Sequence, residues 1–422
     1  MRVLIQGGLL FGQGESKDIL LENGVITKIE DSVSGSFDRV IDARGLAVSS
    51  GLIDMHTHLR EPGYEHKENI YTGTKAAAKG GFTSVCCMPN TRPVCDNESV
   101  VIYIKDQAAK ANLCRVFPIG AITKGLQGKE LAEIGCMKKE GIVAISDDGN
   151  PVENSQLMRL AMEYADDFGV LVISHCEDKN LVADGLANEG FHGTKAGLRG
   201  NTRAAEEVIV AREIVLAETL GTRIHIAHVS TKGSVELIRQ AKKRGVKVTC
   251  ETCPHYFILD DSLLESFDTN LKVNPPIRTK EDVLAIIEGI KEGVIDCIVT
   301  DHAPHHKDEK NVEFQYAMNG ISGLETAFAL SYSHLVKAGH IPLSKLFDLM
   351  SKNPAEILGL GLGRLEIGST DISIFDLNTS YKIDTSKFLS KGKNSPFNDY
   401  EVYGSVMYTI IGENIIECEE LR

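Results

Sequence analysis

Eight short apolar runs follow one another after residue 50, beginning near Leu52, Phe82, Arg115, Ile142, Val170, Ile224, Val246 and Cys297. Each precedes a stretch of helical character, such as Thr202 to Leu220, Thr231 to Arg244 and Lys280 to Glu292. Runs this short, alternating with helices, read as parallel strands in βαβ units. Eight such units predict closure into a (β/α)8 barrel of the TIM type. A chain of 422 residues accommodates that barrel with a smaller domain beside it. Both chain ends break the alternation. They offer short β-like pieces instead, Val3-Leu-Ile, Val25-Ile-Thr-Lys-Ile and Val40-Ile at one end, Asp371-Ile-Ser-Ile-Phe-Asp and Gly404-Ser-Val-Met-Tyr-Thr-Ile-Ile at the other. The expected organisation is an α/β barrel over 51–362 and a small β-sandwich built from 1–50 and 363–422.

Barrels of parallel strands present functional groups where the strands end. His56 and His58 close the first run at spacing i, i+2, which puts both imidazoles on one face of a strand. Asp148 closes the fourth run, His175 the fifth, His228 the sixth and Asp301 the eighth. Four imidazoles and two carboxylates suffice for two metal ions if one group bridges them. That donor set suits Zn²⁺, with Fe, Mn and Co as alternatives. A lone strand histidine is more often simply packed or exposed. His225 has the opposite parity to His228 and is expected to face the helices; His66, His192, His334 and His340 carry no signal. Concurrence at four further strand ends makes coincidence the poor explanation. The chain reads as a metallohydrolase.

Composition narrows the class. With 45 basic and 59 acidic residues the net charge is −14, which argues against a nucleic-acid partner. No apolar stretch reaches the ~20 residues of a membrane span. The first residues, Met1-Arg-Val-Leu-Ile-Gln-Gly-Gly, lack the apolar core of a signal peptide, so cytoplasm is the expected compartment. The ten cysteines are scattered, and only Cys250-Glu-Thr-Cys253 has CxxC spacing, with no second pair. Cys86, Cys87, Cys250 and Cys297 lie in strands and are expected as buried thiols. Cys176 directly follows a ligand candidate and is a minor competitor for metal.

Asp54-Met-His-Thr-His-Leu-Arg-Glu-Pro-Gly63 resembles the first-strand signature of the amidohydrolase superfamily, in the form found in dihydroorotases. The similarity continues through Met88-Pro-Asn-Thr91, Ser146-Asp-Asp-Gly149, His175-Cys-Glu-Asp178, His228-Val-Ser230 and Glu251-Thr-Cys-Pro-His-Tyr256. It extends over Lys272-Val-Asn-Pro-Pro276, Thr300-Asp-His-Ala-Pro-His305, Gly323-Leu-Glu-Thr326, Asn353-Pro-Ala355 and Ser395-Pro-Phe397, essentially the whole chain. The resemblance implies two Zn²⁺ per subunit, one held by His56, His58 and Asp301, the other by His175 and His228. Related ring-opening enzymes often bridge the ions with a carboxylated lysine. Here the segment is Ile145-Ser-Asp-Asp-Gly, as in the aspartate-bridged bacterial form, which assigns the bridge to Asp148 and leaves Asp147 a structural or capping role.

Dihydroorotate is a small ring bearing a carboxylate, so its site needs a fixed cation. Arg60, two residues past His58, supplies a planar fork suited to it. The bland alternatives are a surface ion pair with Glu61 or Glu65, and a turn role for Asn90. The resemblance adds His58, Asn90, Asn274 and His305 as polar contacts to ring and carboxylate. It also implies backbone contacts from Asn319 and Gly320. There the chain departs from the pattern: Met318-Asn-Gly stands where an aromatic-Gly pair is usual. The segment from His305 to Asn319 is charged enough to serve as a lid.

The implied reaction is reversible hydrolysis of dihydroorotate to N-carbamoyl-aspartate in pyrimidine synthesis. Water made acidic by the ions attacks the ring carbonyl, and Asp301 carries the proton to the departing ring nitrogen. Hydantoinases, dihydropyrimidinases and allantoinases are the nearest alternatives, and a non-catalytic assembly subunit is a further one. A homo-oligomer is expected. Association with an aspartate transcarbamoylase is suggested by some relatives.

Overall fold

The computed structural model describes residues 1–10, 14 and 16–421. Eight strands, Leu52–Thr57, Phe82–Cys87, Arg115–Gly120, Ala144–Ile145, Leu171–Ser174, Ile224–Ile226, Val248–Thr252 and Cys297–Ile298, lie side by side in chain order. Every neighbouring pair is parallel. The eighth strand returns to the first: Thr57 bridges His302, and His58 N–H donates to His302 O at 2.8 Å. Asp54 reinforces this closure from inside. Its carboxylate accepts from His56 N at 3.0 Å on its own strand and from Thr300 N at 3.2 Å across the seam. Burial drives that carboxyl up to about 7, against the hydrogen bonds that favour its charge.

The two faces of these strands are packed differently. Outward side chains, among them Phe82, Val85, Ile224, Ile226 and Ile298, join Val210, Ile214, Ile238 and Ile286 of the surrounding helices. Inward ones, among them Met55, Cys86, Ile119, Ile173, Cys297 and Val299, fill the barrel below its mouth. The helix Lys280–Glu292 shows how local sequence sets these elements. Thr279 caps it through Asp282 N while Asp282 reaches back to Thr279, a reciprocal box that satisfies two orphan donors. Val283, Ile286 and Ile290 recur at helical spacing on its buried face, and Gly293 at φ +78° ends it.

Strands from both chain ends join in one mixed sheet. Its order is Asn414–Glu417, Glu401–Ile411, Asp371–Lys382, Ala47–Ser50, Arg2–Leu10, Ser16–Glu22, Val25–Glu30, with Arg39–Asp42 paired to Arg2–Leu10. The two ends meet where Ile372 to Phe375 run antiparallel to Ser50 to Ala47. Val3, Ile5, Ile19, Ile26, Val48, Ile372, Ile374 and Ile410 form its core. The barrel is locked to the sheet by Phe375, whose ring centroid is 4.0 Å from that of Phe328. Arg115 of the third barrel strand adds a two-pronged pair to Asp371, at 2.9 and 3.1 Å. Among the described residues no helix is long and apolar enough to cross a membrane.

Candidate active site

All six ligand candidates converge at the C-terminal mouth of the barrel. Asp148 lies at the centre. Its Oδ1 is 3.4 Å from His56 Nε2, 3.4 Å from His175 Nδ1 and 3.6 Å from His228 Nε2. Its Oδ2 is 3.4 Å from His58 Nε2. Two ligand groups therefore share this one carboxylate: His56, His58 and Asp148 on one side, Asp148, His175 and His228 on the other. Asp301 Oδ1 faces the first group, 3.0 Å from His58 Nε2 and 3.5 Å from His56 Nε2. Asp147 turns away, accepting from Ile122 N at 2.8 Å and Thr123 N at 3.0 Å, a structural role.

Simple strand parity does not produce this arrangement. The sixth strand ends at Ile226, and the backbone turns through φ +33° at His228 and φ +46° at Asp301. Non-glycine residues pay of order 1–3 kcal/mol for such conformations, which concentrate at functional sites. The expectation that His225 faces the helices is accordingly wrong. His225 is buried on the barrel's inner side, its Nε2 3.1 Å from Glu251 Oε2 and its Nδ1 2.7 Å from Thr249 Oγ1. The two-residue period linking it to His228 stops before His228 is reached.

Glu251 is the residue that sequence reasoning missed. Its other oxygen accepts from His56 Nδ1 at 2.6 Å, which fixes the tautomer and turns Nε2 toward Asp148. Burial would raise this carboxyl, but His56 and His225 bring it down to about 2. The one signal in the sequence was a carboxylate inside a strand run, Val248-Thr-Cys-Glu-Thr252, and the structure buries that carboxylate completely. Asn90 does the same for His58: its Oδ1 accepts from Nδ1 at 2.9 Å. Glu177 Oε2 lies 3.6 Å from His175 Nε2; burial would raise this carboxyl, but His175 and, to a lesser degree, Asn274 bring it down to about 2.

The electrostatics fit a cation. Buried and without hydrogen-bond partners are His56 Nε2 and Asp148 Oδ1, two atoms aimed at the same centre. Asp148 is held well below the usual carboxylate range: burial opposes this, and His56, His175 and His228 overcome it. Asp301 is held low in the same way by His56 and His58. Burial resists charge on His175, yet Asp148 and Glu177 push it up to about 10. Negative oxygens ringed by imidazoles that surrender protons to metal are the donor set of a hydrolytic metal site. Cys176 takes no part. Its thiol lies 3.7 Å from Ser174 O among the outward-facing side chains, and burial pushes its pKa well up.

The rim is cationic. Arg60, at φ +63°, donates from Nε to Pro304 O at 3.2 Å, and its Nη2 lies 3.3 Å from His305 Nε2. Neither Glu61 nor Glu65 pairs with it: Glu61 accepts from Ile70 N and the Tyr103 hydroxyl, Glu65 from Gly63 N. His305 donates from Nε2 to Asn319 O at 2.8 Å, while its Nδ1 stands 3.4 Å from Lys67 Nζ. Burial, then Arg60 and Lys67, press it down to about 3, so it is neutral. Asn394, from the loop before Glu401–Ile411, staples this rim. It accepts from His305 N at 2.9 Å and donates to Ala303 O at 3.1 Å and Gly320 O at 2.9 Å. Gly320 is required here, because at φ +143° a Cβ would meet Ala303 at 2.6 Å.

A family model described as Dihydro-orotase-like matches residues 45–234. The chain is 55% identical over 417 residues to a dihydroorotase of Ruminiclostridium cellulolyticum, covering 98% of this chain and 97% of that protein. It is 53% identical over 422 residues to a dihydroorotase of Geobacter metallireducens, covering 99% of each. Among solved structures it is similar to the L-hydantoinase (dihydropyrimidinase) of Arthrobacter aurescens, with TM-score 0.89, 26% identity, and coverage of 98% of this chain and 96% of that one. Identity of that order, sustained from one end to the other across the strand ends just described, shows that the chain belongs to the dihydroorotase family of amidohydrolases.

Proposed function

We propose that this chain hydrolyses the cyclic amide of dihydroorotate reversibly to N-carbamoyl-L-aspartate, on two Zn²⁺ ions that share Asp148. The observation that carries this reading is the position of Asp148, one carboxylate facing four imidazoles from two sides. His56, His58 and Asp301 complete one site, and His175 and His228 the other. When bound, the cations supply Lewis-acid activation of water and of the ring carbonyl.

The protein's own groups do the rest. Asp301 is the most accessible of the six side chains at 11%, against 0% for His56, which suits a group that exchanges a proton with substrate. It accepts the proton of the attacking water and delivers it to the ring nitrogen as the C–N bond breaks. Arg60 binds the substrate carboxylate. Its guanidinium is half-buried and pairs with no carboxylate among the described residues, so its charge is available. Burial lowers its pKa and Asp301 and Asp148 oppose that, but a guanidinium remains charged throughout. Asn90, Asn274, His305 and the backbone at Asn319 and Gly320 line the remaining approach, and His58 contributes from the metal side. A reducing, cytoplasmic compartment belongs to this reading and suits ten free cysteines. From the resemblance we add self-association and docking to aspartate transcarbamoylase, which sedimentation with and without that enzyme tests.

The deciding experiment is a steady-state assay of zinc-loaded protein with dihydroorotate and N-carbamoyl-aspartate, against hydantoin and allantoin. Turnover confined to the first pair and abolished by chelation is expected. Arg60→Met should then raise KM for dihydroorotate far more than it lowers kcat. Preference for the uncharged rings would overturn the substrate assignment while leaving the metal site intact.

A further inference from the structure

Next to the catalytic mouth, sharing His305 but none of the six ligand candidates, the surface holds a cavity of about 260 Å³. Lys307, Lys310, Lys391 and Lys393 line it together with His305 and Asn270, and no carboxylate does. In a chain of net charge −14 that is an anomaly. Three separate segments build it: the turn at Thr269 and Asn270, the segment 305–311 after the eighth barrel strand, and the loop 388–397 that leads into the last long strand. The last two are held together by Asn394 and by close packing of Gly392 on Pro304, where a Cβ would sit 2.5 Å from the proline Cβ.

The lysines are not neutralised. Among the described residues none of the four ammonium groups has a carboxylate partner. Lys310, buried, donates to the carbonyls of Met318 at 2.8 Å and Gly320 at 3.3 Å. Lys391 donates to Glu65 O at 2.6 Å, a backbone oxygen, and Lys393 to Ser390 O at 2.9 Å. The nearby acids are occupied elsewhere. Glu309 pairs with Lys67, Asp268 accepts from Asn270 N, and Glu68 accepts from Lys391 N and the Ser390 hydroxyl. Lys310 therefore supplies field, Lys391 and Lys393 give donors to the carbonyls of Glu65, Phe388 and Ser390 but carry uncompensated charge, and the exposed Lys307 is free to donate outward.

We propose that this cavity is a second binding site, for a compact phosphate-type anion. Four lysines bordering one small cavity with no carboxylate in its lining suit a tetrahedral, multiply charged oxyanion, whereas a planar carboxylate is better served by an arginine fork. The volume lies below the ~300 Å³ at which pockets begin to enclose drug-sized molecules, so the ligand is phosphate or a terminal phosphoryl group. Burial lowers Lys310 to about 7, and a bound anion would restore its charge. The site shares His305 with the rim described above, so its occupation also weakens the positive potential that draws the substrate carboxylate to Arg60.

The test is calorimetric titration of the metal-loaded protein with inorganic phosphate, and with succinate as a dicarboxylate control. It is repeated on the triple variant Lys307→Ala, Lys391→Ala, Lys393→Ala, whose side chains are exposed. Saturable phosphate binding is expected, weakened at least about tenfold in the variant (~1.4 kcal/mol), with kcat for dihydroorotate unchanged when phosphate is absent. Equal phosphate binding by both proteins would assign it to the metal centre and overturn the proposal. So would absence of saturable binding, or succinate binding as tight as phosphate. The titration requires no turnover, so its failure is distinct from failure of the dihydroorotase reading.

Discussion

The two halves of the proposed metal site are built to different standards. On the His56/His58 side each imidazole has its second nitrogen tied, to Glu251 at 2.6 Å and to Asn90 at 2.9 Å. On the His175/His228 side neither does: among the described residues His175 Nε2 and His228 Nδ1 are both buried without a hydrogen-bond partner, and Glu177 stops 3.6 Å short of the former. Ring orientation on the first side is set by outer partners; on the second, the rings hold only each other, His175 Nδ1 to His228 Nε2 at 2.7 Å, through the very atoms an ion would claim. Outer partners of this kind are worth roughly 10–100-fold in metal affinity. The first half should therefore bind the tighter ion and the second the one that exchanges. Stepwise dialysis against a chelator, with metal content followed by mass spectrometry, should remove one ion well before the other. Simultaneous loss would break the comparison.

Substitutions sharpen it in descending order. Asp148→Ala removes the carboxylate common to both halves, so both ions and all turnover should be lost while the fold persists by circular dichroism. Asp301→Asn should lower kcat by about 10²–10⁴-fold and leave metal at His175 and His228 unchanged in the same dialysis. Glu251→Gln should weaken only the tighter ion, by about 10–100-fold, enough to bring the two affinities together or reverse their order. Asn90→Ala acts on one ligand of that half through a neutral bond, and an effect near the bottom of that range, about tenfold, is expected.

The smallest effect lies outside both halves and serves as the control. Glu325 accepts from Leu389 N at 2.7 Å and Ser390 N at 3.1 Å, and burial raises it to about 7. A carboxyl whose folded pKa is raised favours the folded state at acid pH. That advantage is complete below the unfolded value and disappears as pH rises through about 7. Glu325→Gln should leave stability unchanged near pH 4. By pH 8 it should stabilise by about 1–3 kcal/mol in urea melts, with the order of metal loss untouched.

Much of this was legible in the chain. The strand starts anticipated near Leu52, Phe82, Arg115, Ile224 and Cys297 coincide with the observed ones, and those near Ile142, Val170 and Val246 fall within two residues. Strand position was enough to gather His56, His58, His175, His228 and Asp301, because a barrel brings all its strand ends to one mouth, while the choice of Asp148 over Asp147 needed the family resemblance. What was not legible depends on geometry past those ends. Left-handed backbone at His228 and Asp301 broke the parity rule that misplaced His225. The bonds from Glu251 to His56 and from Asn394 to His305 cross 195 and 89 residues, and no local pattern encodes such pairings. Asn90 was read as a substrate contact alone, yet its oxygen is already given to His58.

The staple formed by Asn394 has a consequence for the order in which function is acquired. Every proposed metal ligand has been synthesised once Asp301 is made, well before Asn394 is. A nascent chain can therefore load its ions while the amide that holds His305 and Gly320 in register is still missing. Metal capture would come first and substrate recognition last, so an unfinished or C-terminally clipped molecule would carry metal without doing the chemistry.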